Sequence, residues 1–137
     1  MNRRNFLART GAIAAAAALA GSGLPLHAQS GPEVLSAGRL SGRSDHITTG
    51  TVSIQRIDGK TYAGLGPDFS LDGAPDPTLG FGKNGFVKAS EFAQLRDLTG
   101  QQVYELPRDL NPANYNEFYV WCAEFSVPLG VADLRPR

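Results

Sequence analysis

Thr51-Val52-Ser53-Ile54-Gln55-Arg56-Ile57-Asp58-Gly59-Lys60-Thr61-Tyr62-Ala63-Gly64-Leu65 is the stretch that decides the fold. Apolar and polar residues alternate from Thr51 to Ile57, which is the period of a strand with one buried face. Asp58-Gly59 then separates this run from a second one at Lys60–Leu65. A two-residue hairpin turn of this kind needs positive φ at both central positions, which Asp tolerates and Gly adopts freely. The stretch therefore reads as an antiparallel hairpin.

Working outward, further strands are expected at residues 34–40, 78–81, 100–106, 117–125 and 127–134, with a short one at 86–88. Gly82-Lys83-Asn84-Gly85 reads as a second turn. The one segment read as a helical turn is 90–98, closed by Gly100. Pro107, Asn111-Pro112 and Asn114 mark residues 107–116 as a long loop. Short strands with turns between them predict an all-β chain: a single antiparallel β-sandwich of about seven or eight strands. Within 117–125, Phe118, Val120 and Cys122 share one face, while Tyr119, Trp121, Ala123 and Phe125 share the other. Apolar residues on both faces predict a central strand covered on both sides, with the 107–116 loop as the expected second cover.

The first 28 residues read as an export leader. Asn2-Arg3-Arg4-Asn5-Phe6-Leu7 resembles a twin-arginine signal, and the apolar run that follows is too short and too rich in Gly and Ala for a stable membrane span. Leu26-His27-Ala28 offers a cleavage site before Gln29. The expected partner of the leader is the twin-arginine export machinery, and the expected location is periplasmic or secreted. Residues 29–33 would be a flexible lead-in, and 34–137 the folded domain.

Composition narrows the function classes. The chain has 13 Lys and Arg against 13 Asp and Glu. Without the three leader arginines the domain carries about three excess negative charges and no basic cluster. That balance argues against nucleic acid or anionic lipid as partner. Cys122 is the only cysteine, so no internal disulfide can form and the domain relies on its core. One histidine, His46, remains in the domain, so no multi-histidine metal site is available and no metal is assigned. Asp68, Asp72 and Asp76 recur at four-residue steps without the close spacing of a calcium loop, and turn chemistry accounts for them.

The ordered pieces Gly38-Arg39-Leu40, His46, Gly50-Thr51-Val52, Asp58-Gly59, Gly66-Pro67-Asp68-Phe69, Ala74-Pro75-Asp76-Pro77, Gly100 to Pro107, Val120-Trp121-Cys122 and Phe125 to Leu134 resemble the DM13 domain family over most of the domain. That family is also found in animal proteins beside DOMON domains. The resemblance implies a β-sandwich and a redox or electron-transfer accessory role centred on the cysteine. Cys122 is then the candidate redox centre. His46 is a candidate ligand, and Trp121 or Tyr104 would line a pocket with Cys122. The expected partner is a periplasmic redox protein or a small-molecule cofactor whose identity is unknown, and a stand-alone enzyme is not expected. The alternative reading is a non-catalytic binding or adhesion module with Cys122 packed as a small hydrophobe and His46 hydrogen-bonded to local backbone.

Overall fold

The structure, a computed structural model, describes residues 31–137; the expected leader and the first residues of the lead-in lie outside the described residues. Strands β1 Glu33–Gly42, β2 Thr48–Thr49, β3 Thr51–Ile57, β4 Lys60–Leu65, β5 Ser70–Leu71 and β6 Pro77–Gly82 come first. Then follow β7 Ala93–Gln94, β8 Gln102–Glu105, β9 Glu117–Cys122, β10 Val127–Asp133 and β11 Arg135–Pro136. Two single 3₁₀ turns, Lys88–Ser90 and Pro112–Asn114, are the only helical elements among the described residues. The domain is all-β, as expected.

The main sheet runs β7-β6-β9-β10-β1-β3-β4-β8, with β11 pairing onto β1 as a ninth strand; β2 and β5 form a separate two-stranded ladder. The β3–β4 hairpin has the predicted turn, with Asp58 at φ 52° and Gly59 at φ 80°. Its register places Ile54 opposite Ala63 and Val52 opposite Leu65, all four buried. The two edge strands of the main sheet are stitched together by the segment between them. Arg96 N donates to Tyr104 Oη at 3.0 Å, and Asp97 N donates to Gln102 Oε1 at 3.2 Å. The sheet is thereby rolled into a sandwich-like, nearly closed form whose edges do not offer long unpaired backbone.

Strand β9 is central, between β6 and β10. Its inner face holds Phe118 against Phe81, edge to face at 5.4 Å, and Val120 opposite Leu79. All four are fully buried. The outer face is covered differently from the expectation. Phe86 from the turn after β6 stacks on Trp121 at 3.9 Å and meets Tyr119 edge-on at 5.5 Å. Gly80 makes this possible, because a Cβ there would lie 2.8 Å from the Phe86 ring. The 107–116 loop instead sends Tyr115 onto Phe81, on the inner side.

Three local expectations differ. Residues 90–98 do not form a helix, because their backbone pairs with the edge of β6: Phe92 N donates to Leu79 O and Leu95 N to Pro77 O. Ser90, fully buried, receives Phe81 N on its hydroxyl at 2.7 Å and so extends that pairing. Sheet pairing here outweighs a weak helical preference. Residues 86–88 make only the single bridge Gly82–Phe86. Strand β9 ends at Cys122, and residues 123–126 turn back with Ser126 at φ 55°, leaving Phe125 exposed.

Phe118→Ala should cost about 3–5 kcal/mol in denaturant unfolding, the usual range for emptying a large core site. Phe125→Ala, at a position 63% exposed, should change stability by no more than about 0.5 kcal/mol.

Candidate functional site

Cys122 closes β9 with its side chain on the core face, in line with Phe118 and Val120. It is 1% exposed. Its thiol donates to the Pro75 carbonyl at 3.2 Å. The neighbouring backbone is held from both sides: Ala123 N donates to Asp76 O at 3.1 Å, and Ser126 N to Cys122 O at 2.8 Å. The segment 71–76 therefore lies against the end of β9 and helps to seal the sulfur.

The other end of that segment is held by His46. Asp72 Oδ1 lies 2.9 Å from His46 Nδ1, and Asp72 Oδ2 accepts Ile47 N at 3.0 Å. Ile47 O in turn accepts Asp72 N at 3.1 Å. Strands β2 and β5, which pair Thr48 with Leu71, bring these residues together. The amide of Ile47 first, and then the His46 ring, hold the Asp72 carboxyl below the usual carboxylate range. His46 and Cys122 thus engage the same short segment at its two ends, through Asp72 and Pro75.

The two aromatic candidates lie elsewhere. Trp121 is adjacent to Cys122 in β9 and points to the opposite, outer face, where Phe86 covers one side of its ring. Tyr104, on β8, is buried; its hydroxyl donates to Gln102 Oε1 at 2.6 Å and receives Arg96 N, while the Arg96 guanidinium lies 4.1 Å from the ring centroid. The four residues singled out in the sequence therefore occupy three places: the 71–76 segment with Cys122 and His46, the outer aromatic layer with Trp121, and the seam between sheet edges with Tyr104.

Each of the three spaced aspartates has a separate structural task. Asp68 Oδ1 accepts Thr51 N and Thr51 Oγ1, both at 3.0 Å; Asp72 binds His46 and Ile47; Asp76 Oδ1 accepts Gln94 Nε2 at 2.8 Å. Among the described residues no group of three or more His, Cys, Asp and Glu side chains converges as a metal site. No helix among them is long and apolar enough to cross a membrane. The sequence reading took Asp72 for turn chemistry and gave Pro75 no site role; the structure makes both contributors here. Nothing local links residue 46 to residue 72; only the β2–β5 pairing does.

Together these features define a small antiparallel β module with one sealed thiol. The chain belongs to the DM13 family: the family model, described as Electron transfer DM13, matches residues 40–134, well over half of the chain. Searches of curated proteins and of solved structures return no significant match.

Because Asp72 gains its hydrogen bonds on folding, its pKa is lower folded than unfolded. The stability it adds is present above the ordinary carboxylate range and is lost as pH falls through the folded value. Asp72→Asn should therefore lower Tm at neutral pH. The gap to the wild type should shrink on acidification below that range, as followed by thermal unfolding across a pH series.

Proposed function

We propose that the chain is an exported electron-transfer accessory module in which Cys122 is the redox centre and the 71–76 segment gates it. The family description supports the electron-transfer role in general terms. The observation that carries the finer reading is the thiol–Pro75 hydrogen bond at a sulfur 1% exposed. A carbonyl oxygen does not take up the thiol proton, and thiol exchange needs a thiolate that a partner can reach. Cys122 is therefore inert while the segment is closed on it. Redox chemistry begins when Pro75 withdraws, exposing the sulfur to an exported redox protein or a small-molecule carrier. His46 acts in this reading by holding Asp72, and so the segment, rather than as a ligand. In this reading the twin-arginine-like leader read in the sequence delivers the module to the periplasm or outside the cell.

A second reading rests on the same burial. Cys122 belongs to the continuous hydrophobic cluster with Leu129, Val120 and Leu79, and a packed cysteine behaves as a small hydrophobe. The domain would then be a binding or adhesion module presenting its loops.

Protein-film voltammetry of the full chain separates the two. The electron-transfer reading predicts a response once Asp72→Asn has freed the segment, and its loss in Asp72→Asn/Cys122→Ala while the far-ultraviolet circular dichroism is unchanged. The same voltammogram from both variants, or none from Asp72→Asn, overturns it.

A further inference from the structure

Strand β9 carries oxidisable side chains on both of its faces. On the outer face Trp121 and Tyr119 meet with ring centroids 6.2 Å apart and planes nearly perpendicular. Trp121 is half-buried and still reached by solvent, whereas Tyr119 is only 8% exposed. Phe86 packs against both rings. The neighbouring strand makes room for the phenol: a Cβ at Gly82 would lie 2.5 Å from the Tyr119 ring.

Tyr119 also has a base within reach. Its hydroxyl donates to Glu117 Oε1 at 3.2 Å, and Gly85 N donates to the same oxygen at 2.8 Å. Among the described residues no Lys, Arg or His pairs with Glu117. A carboxylate at that distance can take up the phenolic proton. Burial first, and then the Glu117 charge, push the Tyr119 phenol above its ordinary value, so it is protonated at neutral pH. It gives up an electron readily only if its proton leaves as well. Tyr104 and Cys122, the oxidisable groups held in the core, have no such base. Tyr104 donates to the amide oxygen of Gln102 at 2.6 Å, and Cys122 to the Pro75 carbonyl at 3.2 Å.

We propose that Trp121, Tyr119 and Glu117 form a second redox site, an outer-face relay that holds one oxidising equivalent on Tyr119. Trp121 loses one electron to a high-potential one-electron oxidant, a trivalent metal complex, at its solvent-reached edge. The indole radical cation then takes one electron from Tyr119, whose proton passes to the Glu117 carboxylate. The products are neutral Trp121, a neutral Tyr119 phenoxyl radical and the Glu117 carboxylic acid. The relay needs neither the thiol nor any movement of the 71–76 segment. Only its use in electron transfer, as opposed to its chemistry, rests on the reading above.

Flash-quench oxidation of the full chain by photogenerated tris(bipyridine)ruthenium(III), followed by transient absorption and electron paramagnetic resonance, tests it. An indole radical that converts into a tyrosyl radical is expected. Tyr119→Phe, which keeps the ring and every backbone contact of Glu117, should leave the indole radical and abolish the conversion. Glu117→Gln still accepts both hydrogen bonds but cannot take the proton. It should slow the conversion roughly 100-fold, the scale of a positioned base, an effect that a packing role would not produce. Cys122→Ala should leave both radicals unchanged. A tyrosyl signal that survives Tyr119→Phe, or a conversion rate that Glu117→Gln does not alter, overturns the relay. Loss of the tyrosyl radical in Cys122→Ala overturns its independence of the thiol. The voltammetric response of Cys122 is read below the potentials at which Trp and Tyr oxidise, so either idea can fail while the other stands.

Discussion

Phe81 and Phe118 meet edge to face across the β6–β9 ladder, with Leu79 and Val120 beside them, all without solvent exposure. This contact sets the position of everything the domain does. It fixes the register of β9 and so sends Cys122 inward and Trp121 outward, because successive side chains of a strand alternate between faces. It also requires a cover for the outer face. The cover is Phe86, which the glycine at position 80 admits against the sheet. A domain of this size without a disulfide depends on such two-sided burial for stability.

The end of that strand meets a segment that Leu71 and Ala74 anchor on the core and that polar contacts hold from Asp72 to Asp76. Cys122 is tied to Pro75, and His46 and Ile47 are tied to Asp72 three residues earlier. The sulfur is thus sealed by a few hydrogen bonds at the margin of a core that is otherwise packed by hydrocarbon. Elements held by few buried apolar contacts open locally at lower cost than the core does. In the proposed reading, this segment protects the thiol in the resting fold and opens locally to release it.

Much of the architecture was legible in the residues. The β3–β4 hairpin follows from alternation and Asp58-Gly59, and the two-faced pattern of residues 118–122 marks a central strand. The DM13 resemblance, carried by ordered short pieces, agrees with the family match over residues 40–134. What could not be read was tertiary in origin. Residues 92–95 pair with the edge of β6 instead of coiling, because backbone donors there find Leu79 and Pro77 carbonyls. Phe86 covers Trp121 only because distant β9 lies beside β6. The His46–Asp72 contact spans 26 residues and depends on the β2–β5 ladder, two residues on each side. The separation of Cys122 from Trp121, by contrast, was already legible in the alternation of residues 117–125, although the candidate pocket grouped the two.

The account turns on a thiol sealed by a clasped segment, and native-state alkylation of Cys122 with iodoacetamide tests that most directly. Labelling of the folded wild type should be slow. Asp72→Asn, which releases one end of the segment, should accelerate it by more than its loss of global stability explains. Immediate labelling of the wild type, or a variant rate that follows global unfolding alone, would contradict the account.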